Sequence, residues 1–225
     1  MEAIRPGMTA TSATRLTLIR HGETLWNRER RMQGQTDTAL SDTGRAQAVA
    51  LGERFAGIAL AALYSSDLTR AWDTARAIAQ RTGHDIIAEP QLRERRFGIF
   101  EGLTYPEMSE RHPHEWQRFQ SRDPDYVVPG GECAREFHVR CLACLTAIAE
   151  RHEGGEVAVV THGLVLDALY RAAHGMTLDT LRPVPLLNAS LNGFGYVQRM
   201  WRMNFWGDVA HLETVAVTRF EGQSV

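Results

Sequence analysis

No lysine occurs anywhere in the 225 residues; all 25 basic side chains are arginine. The uniformity reads as the base composition of the genome, so an arginine gains meaning only from its neighbours. Cysteine is scarce, with Cys133, Cys141 and Cys144 alone. An odd, low count in a chain this long argues against a secreted disulfide framework. Cys141 and Cys144 form a CxxC, but no second pair exists and both fall midway along a helical pattern. They are expected to be buried core thiols. No apolar run reaches the ~18 residues of a membrane span, and the opening MEAIRPGMTATSAT lacks the apolar stretch of a signal peptide. The sequence therefore reads as cytoplasmic, with residues 1–14 a loose tail. A net charge of −2 gives no bulk attraction to nucleic acid or to an anionic membrane.

What is present fits one domain over residues 15–225. The composition is 44% hydrophobic and 23% charged, an ordinary globular mix. Short apolar runs alternate with longer helical ones, without a repeat or a low-complexity linker. That pattern predicts an α/β fold in three layers: a mostly parallel central sheet, helices on both faces and an antiparallel edge strand. Strands are expected at 16–19, 60–64, 85–88 and 157–160. Ser41 reads as the cap of a helix from Asp42 to about Phe55, and Ser66 or Asp67 as the cap of the next, ending near Gly83. Phe137, Cys141, Cys144, Leu145 and Ile148 form one apolar stripe, so 132–152 is the clearest helix. Alternating stretches around 197–203 and 214–220, after Asn192-Gly193, read as antiparallel edge strands. Between Pro90 and Glu132 the alternation breaks. An insert near 103–128, with Trp116 and Phe119 as anchors, calls for one or two short helices. It reads equally as a substrate-facing lid or as a surface excursion.

Two apolar strands each end in histidine and glycine, as Arg20-His21-Gly22 and Thr161-His162-Gly163. Ligands of open parallel sheets bind at the carboxyl ends of strands, so the two histidines could face one pocket. Arg70 falls in the first turns of a helix, where it opposes the helix dipole. Helix stability does not explain it; a bound phosphate would, because guanidinium forks match phosphoryl oxygens in pairs.

Leu18-Ile19-Arg20-His21-Gly22-Glu23-Thr24-Leu25-Trp26-Asn27 resembles the signature of the histidine phosphatase superfamily, which includes the cofactor-dependent phosphoglycerate mutases. Further matches follow in order: Leu40-Ser41-Asp42-Thr43-Gly44, Ser65-Ser66 through Arg70 to Thr74-Ala75, Leu92-Arg93-Glu94 through Gly98 to Glu101-Gly102, Pro129-Gly130-Gly131-Glu132, and Thr161-His162-Gly163. The resemblance spans roughly residues 15–200. It implies that His21 is the nucleophile, carrying the phosphoryl group while its other ring nitrogen donates to a backbone carbonyl. Arg20, Arg70 and His162 would surround the equatorial oxygens, with Asn27 as a neutral donor. Glu94 would be the proton donor, its pKa raised by the bound phosphate dianion. Glu23 and Glu101 would hold arginines or backbone in place. No metal and no cofactor is implied.

The implied reaction is phosphomonoester hydrolysis on a small phosphorylated metabolite. A mutase is the alternative, but the stretch after Glu101-Gly102 lacks the adjacent basic pair of the mutase pattern. A catalytically silent phospho-ligand binding protein is a second alternative. Tyr105, Trp116, Tyr126 and the 188–192 segment are expected on the leaving-group side. An edge-strand homodimer is left open.

Overall fold

The computed structural model describes residues 13–213, residue 215 and the backbone of 219–220. Of the tail expected over 1–14, residues 1–12 lie outside the described residues, and Thr14 already belongs to the first strand. The strands are β1 (Thr14–Arg20), β2 (Ala62–Ser65), β3 (Ile86–Ala88), β4 (Glu156–Thr161), β5 (Leu186–Leu187), β6 (Leu191–Val197), β7 (Met200–Asp208) and β8 (Arg219–Phe220). The helices are α1 (Leu25–Arg28), α2 (Asp42–Phe55), α3 (Thr69–Thr82), α4 (Tyr105–Arg111), α5 (Pro113–Gln120), α6 (Ala134–Arg151) and α7 (Gly163–His174).

Six strands form the main sheet in the order β3-β2-β4-β1-β6-β7. The pairs β2–β3, β2–β4 and β1–β4 are parallel, while β6 runs antiparallel to β1 and β7 antiparallel to β6. This is the expected mixed sheet with an antiparallel edge. The alternation of β1 sorts its side chains to two faces. Leu16 and Leu18 join Phe137, Cys141, Leu145 and Leu169 of α6 and α7 on one face. Ile19 joins Leu51, Phe55, Ala71 and Ile78 of α2 and α3 on the other. A third apolar cluster, with Phe97, Phe100, Met108, Phe119 and Val128, sits under the insert. The insert is thus two short helices on their own core. Of the CxxC, Cys141 is buried but Cys144 is only half-buried, and burial raises both thiols' pKa values, Cys144 to about 12.

Three expectations need correction. First, α2 is capped by Ser41, whose Oγ accepts from Gly44 N, as expected. But α3 is capped by neither Ser66 nor Asp67: its N-cap is Leu68, with no side-chain bond. Ser66 Oγ instead meets His162 and Asp67 takes Arg93. Secondly, the antiparallel strands do not wait until after Asn192-Gly193. That pair lies within β6, where the Phe205 ring of β7 fills the space that a Gly193 side chain would occupy. Thirdly, the stretch around 197–203 is not one strand. Its turn is Gln198-Arg199, both left-handed, so β6 ends before it and β7 begins after it. Of the stretch expected around 214–220, only residue 215 and the β8 backbone are described; β8 pairs antiparallel with β5, away from the main sheet.

Candidate functional site

β1 and β4 are parallel neighbours, and Arg20 lies opposite Thr161 in the register. Both strands therefore deliver their histidine to the same edge. His21 N continues the ladder to Thr161 O at 2.9 Å, and the two rings lie 5.2 Å apart at 58°. Both histidines are buried, at 3% and 0% exposure. His21 Nδ1 is 2.7 Å from Gly22 O. A carbonyl only accepts, so Nδ1 carries the proton and Nε2 keeps its lone pair. Burial, with Arg70 and Arg20 nearby, holds His21 well below the usual imidazole value, so it is neutral at pH 7. The same causes keep His162 neutral.

The turn after β1 is gripped from two sides. Ala189 N donates to the carbonyls of Arg20 and His21, and Asn188 Nδ2 donates to His21 O at 3.0 Å. Gly22 N donates to Thr74 Oγ1 of α3 at 3.0 Å. Ala189 holds a left-handed conformation (φ 55°) while fully buried, a strained state kept by its surroundings. Glu23 accepts from Ser41 Oγ, and Glu101 accepts from the N–H groups of Gln35, Thr36 and Phe97. Glu101 thus holds backbone, as expected, while Glu23 holds the hydroxyl that caps α2.

Arg70 is the largest fully buried side chain. Its Nη1 and Nη2 donate to the carbonyls of Thr36 and Gly34 at 3.0 and 2.7 Å. Arg20 Nη1 donates to Leu186 O at 2.8 Å. Burial lowers both guanidinium pKa values to about 10, which leaves both charged at neutral pH. Asn27 Oδ1 accepts from Thr24 N and Asn188 Nδ2, so its Nδ2 is left for the cavity it lines.

Glu94 makes no ion pair among the described residues. Arg93 is taken by Asp67, and Arg95 Nε donates to Glu132 O. The Glu94 carboxylate accepts from Arg95 N at 2.8 Å and Leu164 N at 3.2 Å. Burial raises its pKa, against the lowering pull of those N–H groups, Arg70 and Arg20. The expected rise thus has a cause even before any phosphate is bound. A Cβ at Gly163 would stand 3.6 Å from Arg20 Nε and 3.8 Å from Glu94 Oε2, so acid and guanidinium face each other across this glycine.

Arg20, His21, Asn27, Arg70 and Glu94 line one cavity of about 710 Å³, counting space open to solvent. His162 does not line it; the ring lies behind His21, with Nε2 2.8 Å from Ser66 Oγ. From the insert, Tyr105 and Phe119 line the cavity, whereas Trp116 and Tyr126 pack behind them. Residues 188–192 brace the turn rather than line the cavity; Leu186 lines it instead. Sequence reasoning missed Arg31, Arg95 and Arg182 on the wall. Arg182 lies in the loop between α7 and β5 and precedes a proline, with no local signal to mark it.

A sequence profile of the histidine phosphatase superfamily (branch 1) matches residues 16–209. A phosphoglycerate mutase-like protein 4 of Arabidopsis thaliana is 39% identical over 202 residues, covering 88% of this chain and 86% of that one. A metal-independent phosphoserine phosphatase of the same plant is 38% identical over 220 residues, covering 95% and 90%. Among solved structures, Bacillus stearothermophilus YhfR superposes with a TM-score of 0.82 at 37% identity, covering 89% of this chain and all of that one.

Proposed function

Since the chain belongs to the histidine phosphatase superfamily, we propose that it hydrolyses small phosphomonoesters through a phosphohistidine on His21. The observation that carries this reading is the pairing of protonation states in one cavity. His21 is neutral with Nε2 unprotonated, and Glu94 is a carboxyl of raised pKa. Nucleophile and acid are pushed in opposite directions, which is how such roles are divided between two groups.

In the first step the Nε2 lone pair attacks phosphorus and the P–O ester bond breaks. Its electron pair stays on the leaving oxygen, which takes the Glu94 proton and departs as an alcohol. In the second step Glu94 carboxylate takes a proton from water. The water oxygen attacks phosphorus, and the P–N bond breaks with its electron pair returning to Nε2. Inorganic phosphate leaves and Glu94 is again protonated. Arg20 and Arg70 hold the charge spread over the equatorial oxygens, and Asn27 Nδ2 adds a neutral donor. His162 supports His21 from behind, with its Nε2 on Ser66 Oγ. No step calls for a metal ion. The 103–128 insert is the lid over the leaving group, through Tyr105 and Phe119.

The test is phosphate release from p-nitrophenyl phosphate and 3-phosphoglycerate in EDTA, with His21→Ala alongside. EDTA-resistant release that vanishes in His21→Ala supports the reading. No release from either compound, with interconversion of 2- and 3-phosphoglycerate on adding a bisphosphate primer, replaces hydrolysis by the mutase.

A further inference from the structure

Residues 91–96 carry the proposed acid yet belong to no strand or α-helix. Their backbone groups must find partners elsewhere. Four successive carbonyls are met by side chains. Gln91 O and Arg93 O accept from Arg140 Nη1 at 2.7 and 3.0 Å. Glu94 O accepts from Arg140 Nη2 at 3.1 Å, and Leu92 O accepts from Thr161 Oγ1 at 2.8 Å. The segment is thus wrapped round one guanidinium from α6. Glu132 fixes that guanidinium as a fork: Oε2 accepts from Nε at 3.0 Å and Oε1 from Nη2 at 2.8 Å. The same Oε1 accepts from Arg96 N at 2.9 Å, so Glu132 grips the far end of the segment as well. The pair is largely buried, with side chains 20% and 12% exposed.

We infer that Arg140, locked by Glu132, is the positioning residue for the Glu94 carboxyl. The inference rests on Glu94 being the acid of the proposed reaction. Arg140 binds the carbonyl of Glu94 itself and so sets the point from which the side chain starts. On the cavity side two neutral N–H groups hold the carboxylate. A small shift of the segment therefore moves the acid relative to the leaving oxygen, and misplacement by 1 Å can cost about a hundredfold. A lysine has no fork with which to reach three carbonyls and a carboxylate together.

A merely structural role lowers all rates alike, whereas a misplaced acid penalises poor leaving groups. The test uses the full chain and substituted phenyl phosphates running from p-nitrophenyl to phenyl to p-methoxyphenyl. The variants are Arg140→Lys, Arg140→Ala, Glu132→Gln and Glu94→Gln, with rates normalised to the phosphohistidine burst. General acid catalysis contributes about 10²–10⁴-fold. The Arg140 and Glu132 variants should therefore lose at least about tenfold more kcat/KM on the p-methoxyphenyl ester than on the p-nitrophenyl ester. Their slopes should approach that of Glu94→Gln, and added guanidinium ion should restore the poor leaving groups in Arg140→Ala. Equal loss across the series in both Arg140→Lys and Glu132→Gln, or no loss, overturns the positioning role. A wild-type slope in Glu94→Gln overturns the acid reading itself, and the positioning role falls with it.

Discussion

Gly22 and Gly163 each follow a histidine at a strand end, yet a methyl group should act oppositely at the two. At Gly22 a Cβ would stand 2.6 Å from Gly44 O and 3.2 Å from Gly44 C and Cα. These are backbone atoms in the first turn of α2, so the helix or the histidine turn must move. Overpacking of that kind costs about 3 kcal/mol, or roughly 6–12 °C in Tm for a chain of this size. At Gly163 the nearest atom is Leu186 Cδ1 at 3.1 Å, the end of a side chain that can give way. Gly163 also opens α7, where alanine is favoured over glycine by up to about 1 kcal/mol. Gly163→Ala should therefore keep Tm within roughly 2–4 °C of the parent. Its methyl group would nevertheless sit between Arg20 Nε and Glu94 Oε2, where the leaving oxygen must lie. We expect kcat/KM on p-nitrophenyl phosphate to fall about a hundredfold or more. Thermal unfolding and steady-state rates of both variants decide the matter. Gly163→Ala with near-parental kcat/KM, or with a Tm loss as large as that of Gly22→Ala, would refute the reasoning.

The pH profile should carry both shifts. His21 must be neutral and its pKa is depressed below 6.5, while Glu94 must be protonated and its pKa is raised above 4.5. Activity should rise through the first and fall through the second, and Glu94→Gln should lose the alkaline limb of kcat/KM; its persistence would assign that limb to another group. Acidification should also destabilise the fold. Below pH 6.5 the unfolded chain protonates His21 and His162 while the native state does not, so stability falls with pH until the depressed folded values are passed. Glu94 opposes this between 4.5 and its raised value. His21→Asn should lessen the fall by up to about 1.4 kcal/mol per pH unit, read from urea melts at several pH values. Finally, Tyr105→Phe and Phe119→Leu should alter relative rates across a phosphomonoester panel, whereas Tyr126→Phe, whose ring packs behind the wall, should not. Equal effects of all three would remove the lid role.

The sequence disclosed what local signals encode. Asp42–Phe55 was readable because Ser41 caps it, its Oγ accepting from Gly44 N. The strand-end histidines were readable because β1 and β4 are short, apolar and followed by glycine. The α3 cap was misread because Ser66 and Asp67 have stronger distant partners in His162 and Arg93. The 197–203 stretch was misread because Gln198-Arg199, where the hairpin turns, carries none of the residues that usually mark a turn. Gly193 answers to a cross-strand ring, which no window of sequence contains. Ala189 and Arg140 went unnoticed for the same reason. Their partners lie 168 and 49 to 46 positions away, at His21 O and at the carbonyls of residues 91, 93 and 94.

Those distant partners share a chemistry that bears on the absence of lysine. Away from the cavity, Arg93 meets Asp67 and Arg135 meets Asp125. In the cavity, Arg70 meets the carbonyls of Gly34 and Thr36 and makes no ion pair among the described residues, and Arg20 donates to Leu186 O. A carboxylate cancels a unit charge, whereas a carbonyl only aligns a dipole against it. The Arg70 guanidinium, held by carbonyls, is thus fixed in place with its charge left for a ligand. Holding that charge without a carboxylate is costly, and burial lowers the Arg70 pKa to about 10. A phosphoryl dianion removes the imbalance. Only a planar cation with five donors can satisfy two carbonyls and still turn an N–H towards the ligand, so these positions call for arginine whatever the genome favours.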